Sequence, residues 1–354
     1  MIPHREQSRR IYLGSVPVGG GAPVSIQSMT NTDTRDVGKT LAQISSLEKA
    51  GCDIVRVSVP DAGAAAALRE IKKGSAIPVV ADIHFDYRIA IASVENGADG
   101  IRINPGNIGS RDKVRAVARA AADAGIPVRI GVNLGSVKKA LLEEFGDDHA
   151  GALVESARRY ADMLEGMGLT ALKVSLKSSD VRETVEAYRR FAKESPLPLH
   201  LGLTEAGTPF AGAIRSAAAM GALLMEGIGD TIRVSLAGDP IQEVIAGRIL
   251  LESVGLRNEG VRVIACPTCA RTCGDVAAIA SEVEDAVKDI RKHLVVAVMG
   301  CVVNGPGEAK IADLGVACEK GGAMLFVHGR PVRRIASSDI TKCLVHEIEK
   351  ELEK

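Results

Sequence analysis

The sequence predicts a mixed α/β protein in which a (β/α)₈ barrel precedes a smaller α+β domain. In roughly the first 240 residues, eight short apolar runs alternate with amphipathic segments, and the runs begin about 22 to 33 residues apart, the length of a βα unit. An open doubly wound sheet is the alternative, but no Gly-x-Gly-x-x-Gly opens a helix after the first run, which disfavours it. After about residue 243 this rhythm changes, which indicates a second domain.

The apolar runs are the predicted strands of the barrel. Three of them begin with proline, which fits the first position of a strand because its missing N–H is harmless there. Gly51 follows the amphipathic segment 40–50 and is typical of a helix end. The longest interval, between the fifth and sixth strands, contains an insertion around residues 145–151. The predicted strands lie near residues 24–29, 54–59, 79–84, 101–104, 127–133, 171–176, 198–203 and 231–236.

The second domain is predicted to differ in both pattern and composition. We expect the barrel domain to span residues 1–257 and the second domain residues 258–354, with the connection near 255–260. Most of the seven cysteines belong to the second domain. Its predicted strands lie near 261–265, 294–300 and 323–328, and its predicted helices near 275–292 and 338–353.

Composition excludes several classes of protein. Apolar residues make up 46% of the chain, enough for a full core, and no run of about 18 apolar residues could span a membrane. Lys+Arg and Asp+Glu both number 44, and only 3% of residues are aromatic, so neither a nucleic acid nor an anionic membrane is expected as a partner. The polar N-terminus does not resemble a signal peptide, and we expect a cytoplasmic protein.

Polar side chains recur at every second position near the ends of the predicted strands. Positions i and i+2 of a strand share a face, and parallel strands covered by helices normally read as continuous Val, Ile and Leu. The polar face is therefore predicted to point into the barrel, where polar groups must bind one another or a ligand. Its members are Ser25 and Gln27, Arg56 and Ser58, Asp82 and His84, Arg102 and Asn104, Arg129 and Asn133, Lys173, Ser175 and Lys177, His200 and Thr204, and Arg233 and Ser235.

Cations dominate this face near the predicted C-terminal mouth of the barrel. Asp82 and Glu205 offset them only in part. Several Arg and Lys side chains around one cavity favour a phosphate or diphosphate ligand, and the alternative is a set of internal salt bridges that fill the barrel. The Gly-rich turns at 104–109 and 133–136 can offer backbone N–H groups to the same anion. The cations are Arg56, Arg102, Arg129, Lys177 and Arg233.

Cysteines form a second candidate site. Cys266-Pro-Thr-Cys269 lies in the second domain, and Cys301 begins its own Gly- and Pro-rich segment. A redox dithiol, half of a zinc site and a radical-enzyme cluster each fit the spacing poorly, and the cysteines could also be merely buried. The remaining interpretation is an iron–sulfur cluster with three thiolate ligands, in which a nearby carboxylate, Glu308, binds the last iron. Cys52 and Cys343 stand in apolar segments and are expected to be buried.

These motifs resemble one enzyme family over nearly the whole chain, from about Arg10 onward. The matching segments are Cys-Pro-Thr-Cys-Ala-Arg, Gly-Cys-Val-Val-Asn-Gly-Pro-Gly-Glu-Ala, Ala-Asp-Ile-His-Phe-Asp-Tyr-Arg-Ile-Ala, Arg-Ile-Asn-Pro-Gly-Asn-Ile-Gly and Ser-Met-Thr-Asn-Thr. They are similar to those of the 4-hydroxy-3-methylbut-2-en-1-yl diphosphate synthases of the methylerythritol phosphate route to isoprenoids. The resemblance implies a two-domain bacterial form and an iron–sulfur oxidoreductase. Such an enzyme reductively opens and dehydrates 2-C-methyl-D-erythritol 2,4-cyclodiphosphate to 4-hydroxy-3-methylbut-2-enyl diphosphate.

The resemblance also implies a cofactor and a set of site residues. The cofactor is a 4Fe–4S cluster whose ligands fall on Cys266, Cys269, Cys301 and Glu308. Glu205 matches a carboxylate that handles protons, so Glu205 and Glu308 are the candidate catalytic residues. The candidate substrate-binding residues are Arg56, Asp82, His84, Arg102, Asn104, Arg129, Asn133, Lys177, Thr204, Arg233 and Ser235.

The sequence also leads to expectations about partners and leaves two alternative functions open. The family resemblance implies reduced flavodoxin or ferredoxin as the electron donor, and a homodimer in which two chains share each active site. One departure is Cys273, which stands where many members of the family carry no cysteine. The alternative enzyme is a hydro-lyase with an open-iron 4Fe–4S cluster that acts on another phosphorylated substrate. The alternative without enzymatic activity is an iron–sulfur sensor, although a sensor needs no cationic barrel mouth.

Overall fold

A computed structural model describes residues 4–288 and 290–353 of the chain. The chain packs as two units that divide between Arg257 and Asn258. Within the described residues, no helix is both long enough and apolar enough to cross a membrane.

The first unit is a closed parallel barrel, as the strand rhythm predicts. In the described part of the chain, the sheet order is β8-β7-β6-β5-β4-β3-β10-β9, and a parallel bridge between Val174 and Leu199 joins β8 to β9. The alternative of an open doubly wound sheet is therefore excluded. The strands of this unit are β1 (Ile11–Leu13), β2 (Val16–Val18), β3 (Ser25–Met29), β4 (Ile54–Ser58), β5 (Val79–Asp82), β6 (Gly100–Ile103), β7 (Val128–Asn133), β8 (Leu172–Lys177), β9 (His200–Leu201) and β10 (Thr231–Ile232).

Helices surround the barrel, and their starts follow from the sequence. Asp36, Asp86 and Asp180 each accept a hydrogen bond from a backbone N–H of the first helical turn, the preferred N-cap interaction. The predicted insertion between the fifth and sixth strands is a pair of helices, α7 and α8. The helices are α1 (His4–Gln7), α2 (Val37–Ala50), α3 (Ala62–Gly74), α4 (Tyr87–Glu95), α5 (Pro105–Ile108), α6 (Arg111–Asp123), α7 (Lys139–Phe145), α8 (His149–Glu165), α9 (Val181–Glu194), α10 (Pro209–Met225) and α11 (Pro240–Ser253).

A short hairpin closes the end of the barrel opposite the mouth. Strands β1 and β2 pair antiparallel, and Leu13 and Val18 are buried against Ile54 and Val80 at the starts of β4 and β5. The apolar pattern did not predict this hairpin because each strand is three residues long and β2 contains Pro17. The hairpin removes the lower barrel interior from solvent.

The second unit is a mixed sheet with helices. Among the described residues its strand order is β11-β12-β13-β14-β15, parallel as far as β13 and antiparallel beyond it. Strands β13 and β15 were not predicted: β13 is split by glycine, and β15 is an arginine-rich, exposed edge strand. The elements are β11 (Val261–Ala265), α12 (Val276–Val287), β12 (Leu294–Met299), α13 (Gly305–Ala309), β13 (Leu314–Glu319), β14 (Gly322–Val327), β15 (Arg330–Ala336) and α14 (Ile340–Leu352).

Candidate active site

The C-terminal ends of the barrel strands surround a polar cavity of about 270 Å³. The alternation of side chains along each strand directs every second residue into this cavity, so the predicted polar face is the inner face. Two lining residues, Ser175 and Leu203, were not among the candidate binding residues. The lining consists of Arg56, Arg102, Arg129, Asn133, Ser175, Lys177, Leu203, Thr204, Glu205, Arg233 and Ser235.

Asp82 fixes two of the cations from the side of the cavity. Its carboxylate accepts a hydrogen bond from Arg102 Nη1 at 3.2 Å and lies 3.5 Å from Arg56 Nε. Arg56 also donates to the thioether of Met29 at 3.0 and 3.2 Å. Burial alone would raise the pKa of Asp82, but the positive charges of Arg56, Arg102 and Arg129 lower it to about 2. Asp82 is therefore ionised and orients the arginines without itself lining the cavity.

Glu243 holds a third cation and was missed by the sequence analysis. It lies on α11, is buried, and forms a salt bridge of 3.2 Å with Arg233. It also accepts hydrogen bonds from Ser28 Oγ and from the backbone N–H of Leu236. Glu243 is one charge in helix α11, and nothing local to it in the sequence indicates a partner directly after the last barrel strand.

Arg129 and Lys177 are the cations with the least compensation. Both are buried, and Nε and Nη1 of Arg129 have no hydrogen-bond partner in the structure. Burial lowers the pKa of each group well below its usual range, and the neighbouring arginines lower it further. Buried cationic donors without partners are strongly unfavourable, so the cavity is built to receive an anion.

Two glycines allow the cations to approach the strands closely. A Cβ at Gly131 would lie 2.5 Å from Arg102 Nε, and a Cβ at Gly202 would lie 2.6 Å from Lys177 Nζ. Any larger residue would force these side chains to move. The inward positions of β7 and of the segment after β9 are therefore glycine because cations occupy the space beside them.

The remaining candidate residues of the barrel separate into two groups. Asn133, Thr204, Glu205 and Ser235 line the cavity. Glu205 has a positive φ of 52°, which is strained for a non-glycine residue and sets the direction of its carboxylate.

His84 and Asn104 do not line the cavity in this structure. His84 is exposed in the loop after β5 and contacts the ring of Phe85. Asn104 is buried, and its Oδ1 accepts a hydrogen bond from the backbone N–H of Gly106 at 3.1 Å, so it caps the short helix α5.

The cysteines of the second unit gather at one edge of its sheet. Cys266 follows β11 directly, and Cys301 follows β12 after Gly300. These strands are parallel neighbours with Ala265 opposite Val298, so their C-terminal ends meet. Cys269 is exposed in the loop after β11, and Glu308 is exposed on α13.

Backbone donors favour thiolates at this edge. The N–H of Gly300 donates to Cys266 Sγ at 3.1 Å. The pKa of Cys301 lies below its usual range because of backbone N–H groups of Asn304 and Val303, with a further contribution from Arg271. Within residues 4–288 and 290–353, however, no three His, Cys, Asp or Glu side chains are close enough to hold a metal ion. The donors fit an iron–sulfur cluster in type and placement, but the side chains do not converge.

The other cysteines differ in their surroundings. Cys273 is exposed, and its backbone N–H bonds to the carbonyl of Gly300. Cys318 is buried on β13 near Gly274, and burial, together with the nearby Cys266 and Cys273 thiols, raises its pKa. Cys52 and Cys343 are buried, which confirms the expectation for both.

The fold and the cavity define a barrel protein with an anion-binding mouth, joined to a cysteine-bearing unit. Family models match both parts: residues 8–248 match the GcpE TIM-barrel domain, and residues 262–350 match the GcpE protein C-terminal domain. The chain belongs to the GcpE family.

Full-length relatives share about half of their residues with this chain. One from Geobacter sulfurreducens is 52% identical over 346 residues, covering 98% of each chain. One from Caldanaerobacter subterraneus subsp. tengcongensis is 53% identical over 350 residues, covering 99% of each. Both are named 4-hydroxy-3-methylbut-2-en-1-yl diphosphate synthase (flavodoxin).

Solved structures of other enzymes match part of this chain at low sequence identity. A type I 3-dehydroquinate dehydratase from Clostridium difficile matches with a TM-score of 0.51 at 13% identity, covering 70% of this chain and 97% of its own. A dihydropteroate synthase from Yersinia pestis matches with a TM-score of 0.50 at 13% identity, covering 70% and 98%. These likenesses support the fold and nothing about activity.

Proposed function

We propose that this chain is the enzyme that converts 2-C-methyl-D-erythritol 2,4-cyclodiphosphate into 4-hydroxy-3-methylbut-2-enyl diphosphate in non-mevalonate isoprenoid biosynthesis. The reaction reductively opens the cyclic diphosphate with two electrons and loses water. The observation that carries this assignment is the cavity with five cations, in which Arg129 keeps two unpaired donors. Relatives that span nearly the whole chain bear the name of this activity.

The barrel cations bind and orient the diphosphate. Arg102, Arg129 and Lys177 come from three adjacent strands and can reach different oxygens of the two phosphate groups. Asp82 and Glu243 hold three of the arginines, Arg56, Arg102 and Arg233, so that these donors stay in place when the ligand binds. Such preorganised charge stabilises an anion without reorganisation of the site. Asn133, Thr204 and Ser235 add neutral hydrogen-bonding groups around the same cavity.

His84 and Asn104 are proposed to bind substrate after their loops move toward the cavity. His84 is exposed after β5, and Asn104 is engaged in its helix cap. Their binding roles remain predictions.

Glu205 is the proposed proton-transfer group. It is exposed at the rim of the cavity, and no other acidic residue lines the cavity within the described part of the chain. A carboxyl group there can pass a proton to the substrate or to water near it.

Cys266, Cys269, Cys301 and Glu308 are proposed to hold a 4Fe–4S cluster. When bound, such a cluster supplies electrons one at a time. The backbone N–H donors at Cys266 and Cys301 stabilise the thiolates that binding requires. Cys269 and Glu308 lie on a loop and on a five-residue helix, which can move to complete the ligand set.

The electron donor is proposed to be reduced flavodoxin, which the relatives' names specify, with ferredoxin as the alternative. A cytoplasmic location also remains a prediction.

Activity is tested by anaerobic turnover of the cyclic diphosphate with and without a reduced donor. Product formation that depends strictly on the donor supports the assignment. Donor-independent loss of water would identify a hydro-lyase, and no conversion of the cyclic diphosphate in either case would contradict the assignment.

We further propose a homodimer in which each active site combines one barrel with the cysteine unit of the partner. Arg257 forms a salt bridge of 2.7 Å with Asp53, which precedes β4, so the chain leaves the barrel at the end opposite the mouth. Only residues 258–260 then precede β11. So short a connector favours the mouth of a second barrel over its own.

Complementation tests this arrangement. Arg102→Ala lacks a barrel cation and should turn over substrate weakly, and Cys301→Ala lacks a proposed cluster ligand and should be inactive. Mixed in equal amounts under conditions of subunit exchange, they should regain activity in one of the two sites of each hybrid dimer, about a quarter of all sites in the mixture. Proven exchange without recovery would place each active site within one chain.

A further inference from the structure

A second polar layer lies beneath the cation cavity. Gln27 and Lys173 occupy inward positions below it, and a small enclosed void of about 10 Å³ separates them from the Leu13 hairpin. Both side chains are almost fully buried, at 1% and 2% exposure. Lys173 Nζ and both polar atoms of Gln27 lack a hydrogen-bond partner in the structure. This layer takes no part in the proposed binding of substrate.

Lys173 is a buried amine surrounded mainly by positive charge. Arg129, which is paired in register with Lys173 on the neighbouring strand β7, and Arg56 on β4 repel it, and Lys177 lies two inward positions further along the same strand. Asp230, before β10, is the carboxylate that acts on it, but Asp230 already accepts hydrogen bonds from Ser8 Oγ and the backbone N–H of Leu199, each at 2.7 Å.

The remaining titratable neighbour is His200 on β9. It bonds to Thr231 Oγ1 at 2.7 Å, and burial, with the surrounding cations, lowers its pKa well below the usual range. His200 is therefore neutral and does not compensate the amine. Protonation of Lys173 is therefore unfavourable as long as no anion occupies the cavity above it, because the neighbouring charged groups are mainly cations. Consistent with this, burial and the repulsion from Arg129 lower the pKa of Lys173 to about 7.

Arg129 connects the two layers, because it lines both the upper cavity and the lower void. A bound diphosphate places two negative charges beside Arg129. The electrostatic potential at Lys173 then favours the protonated amine. We propose that Lys173 takes up one proton from solvent when the cyclic diphosphate binds above it. The proton forms an N–H bond at Nζ, and no bond of the substrate changes. Lys173 acts through Arg129 and is a positioning residue. This inference rests on the proposed function.

Linked protonation makes affinity depend on pH. Each phosphorus of a cyclic diphosphate carries a single, strongly acidic O–H, so the ligand does not titrate between pH 6 and 8. Below the pKa of the free enzyme's Lys173 the amine is already charged, and binding takes up no proton. Above that pKa the affinity should fall by up to about tenfold per pH unit.

Calorimetry measures the proton directly. The cyclic diphosphate is titrated into the anaerobic, cluster-loaded full chain without electron donor, at pH 8, in two buffers of different ionisation enthalpy. We expect close to one more proton taken up by the wild type than by Lys173→Met. Lys173→Arg, which keeps the charge but does not titrate, should show the same loss. Gln27→Met alters the same void without removing a titratable group and should keep the uptake.

The outcomes separate this inference from the function on which it rests. Equal uptake in the wild type, Lys173→Met and Lys173→Arg, with binding intact, would overturn the role of Lys173 and assign any proton to another group. Absence of binding in the wild type would instead contradict the proposed function. A loss of uptake in Gln27→Met as large as in Lys173→Met would show that repacking, and not the amine, is responsible.

Discussion

The barrel mouth and the cysteine edge differ in how complete they are in the polypeptide alone. In the barrel, Arg56, Arg102 and Arg233 are each held by a buried carboxylate. At the cysteine edge, Cys269 and Glu308 are exposed, and no metal-binding group has formed among the described residues. The barrel cations are thus held in place by the polypeptide, whereas the proposed cluster site would have to be assembled by the group that binds there.

This difference separates two kinds of molecular recognition. Charge on rigid strands recognises an anion whose position is fixed in advance, as electrostatic preorganisation requires. Thiols on loops tolerate movement because metal–sulfur bonds supply the free energy that orders them. The following substitutions are expected to affect the two sites separately.

Loss of a proposed cluster ligand should have the largest effect. Cys266→Ser, Cys269→Ser and Cys301→Ser each remove one of three thiolates, so most of the iron and nearly all activity should be lost. Iron per chain and the visible absorbance of the anaerobic protein measure the outcome. Cys273→Ala is the matched control and should keep iron and most activity. Full iron content in Cys301→Ser would refute the ligand assignment, and cluster loss in Cys273→Ala would make Cys273 a ligand in place of Glu308.

Removal of a barrel cation should weaken substrate binding and leave the iron content unchanged. Arg129→Ala, Arg102→Ala and Lys177→Ala each remove a charge-assisted contact of about 1.5–3 kcal/mol, a factor of about 10 to 150 in affinity. Calorimetric titration with the cyclic diphosphate gives the dissociation constant. Unchanged affinity in all three variants would mean that these cations only fill the barrel.

The carboxylate behind Arg233 should contribute mainly to stability. Glu243→Gln leaves a partly buried guanidinium without its charged partner, so the free energy of unfolding should fall by about 2–4 kcal/mol. Urea denaturation measures the change, and Glu95→Gln, at an exposed position of α4, serves as a control. An unfolding free energy equal to that of the wild type would show that Arg233 does not depend on Glu243.

Protonation of Asp82 should give the smallest effect, and that effect is confined to acid. Its pKa of about 2 in the folded chain lies below the value of an unfolded aspartate, near 4. Its ion pairs therefore stabilise the fold fully above about pH 4, and this contribution, about 2 kcal/mol, is lost as the pH falls through 2. Asp82→Asn should lack this part of the acid transition in urea denaturation between pH 4 and 2. An identical pH profile in the variant would contradict the low pKa.

The sequence predicts the barrel and its inward-facing cations better than it predicts the residues that hold the cations and close the barrel. Alternation along eight strands is a local signal, so the inward positions of Arg102, Arg129 and Lys177 follow directly from it. The positions 203 and 233–236, predicted as strand, instead follow two-residue strands, because the chain turns away after Gly202 and Ile232. Glu243 and the β1–β2 hairpin were missed, because each meets the barrel through contacts distant in sequence.

For the cysteine motifs, the sequence predicts the chemistry of the site better than its geometry. Their spacing predicts the chemical type of the site, and strand pairing then brings Cys266 and Cys301 to one edge. The sequence around each remaining ligand does not show how the ligands come together, because a bound cluster would supply the free energy that orders them.

The most direct test of this contrast is the affinity of the full chain for the cyclic diphosphate after removal of iron. Titration calorimetry would compare the cluster-free protein with the cluster-loaded protein under the same anaerobic conditions. If the barrel cations form a complete recognition site, the two dissociation constants should agree within about tenfold. A loss of more than about a hundredfold on removal of iron would show that the cysteine edge is required for recognition, and would contradict the division of roles between the two units.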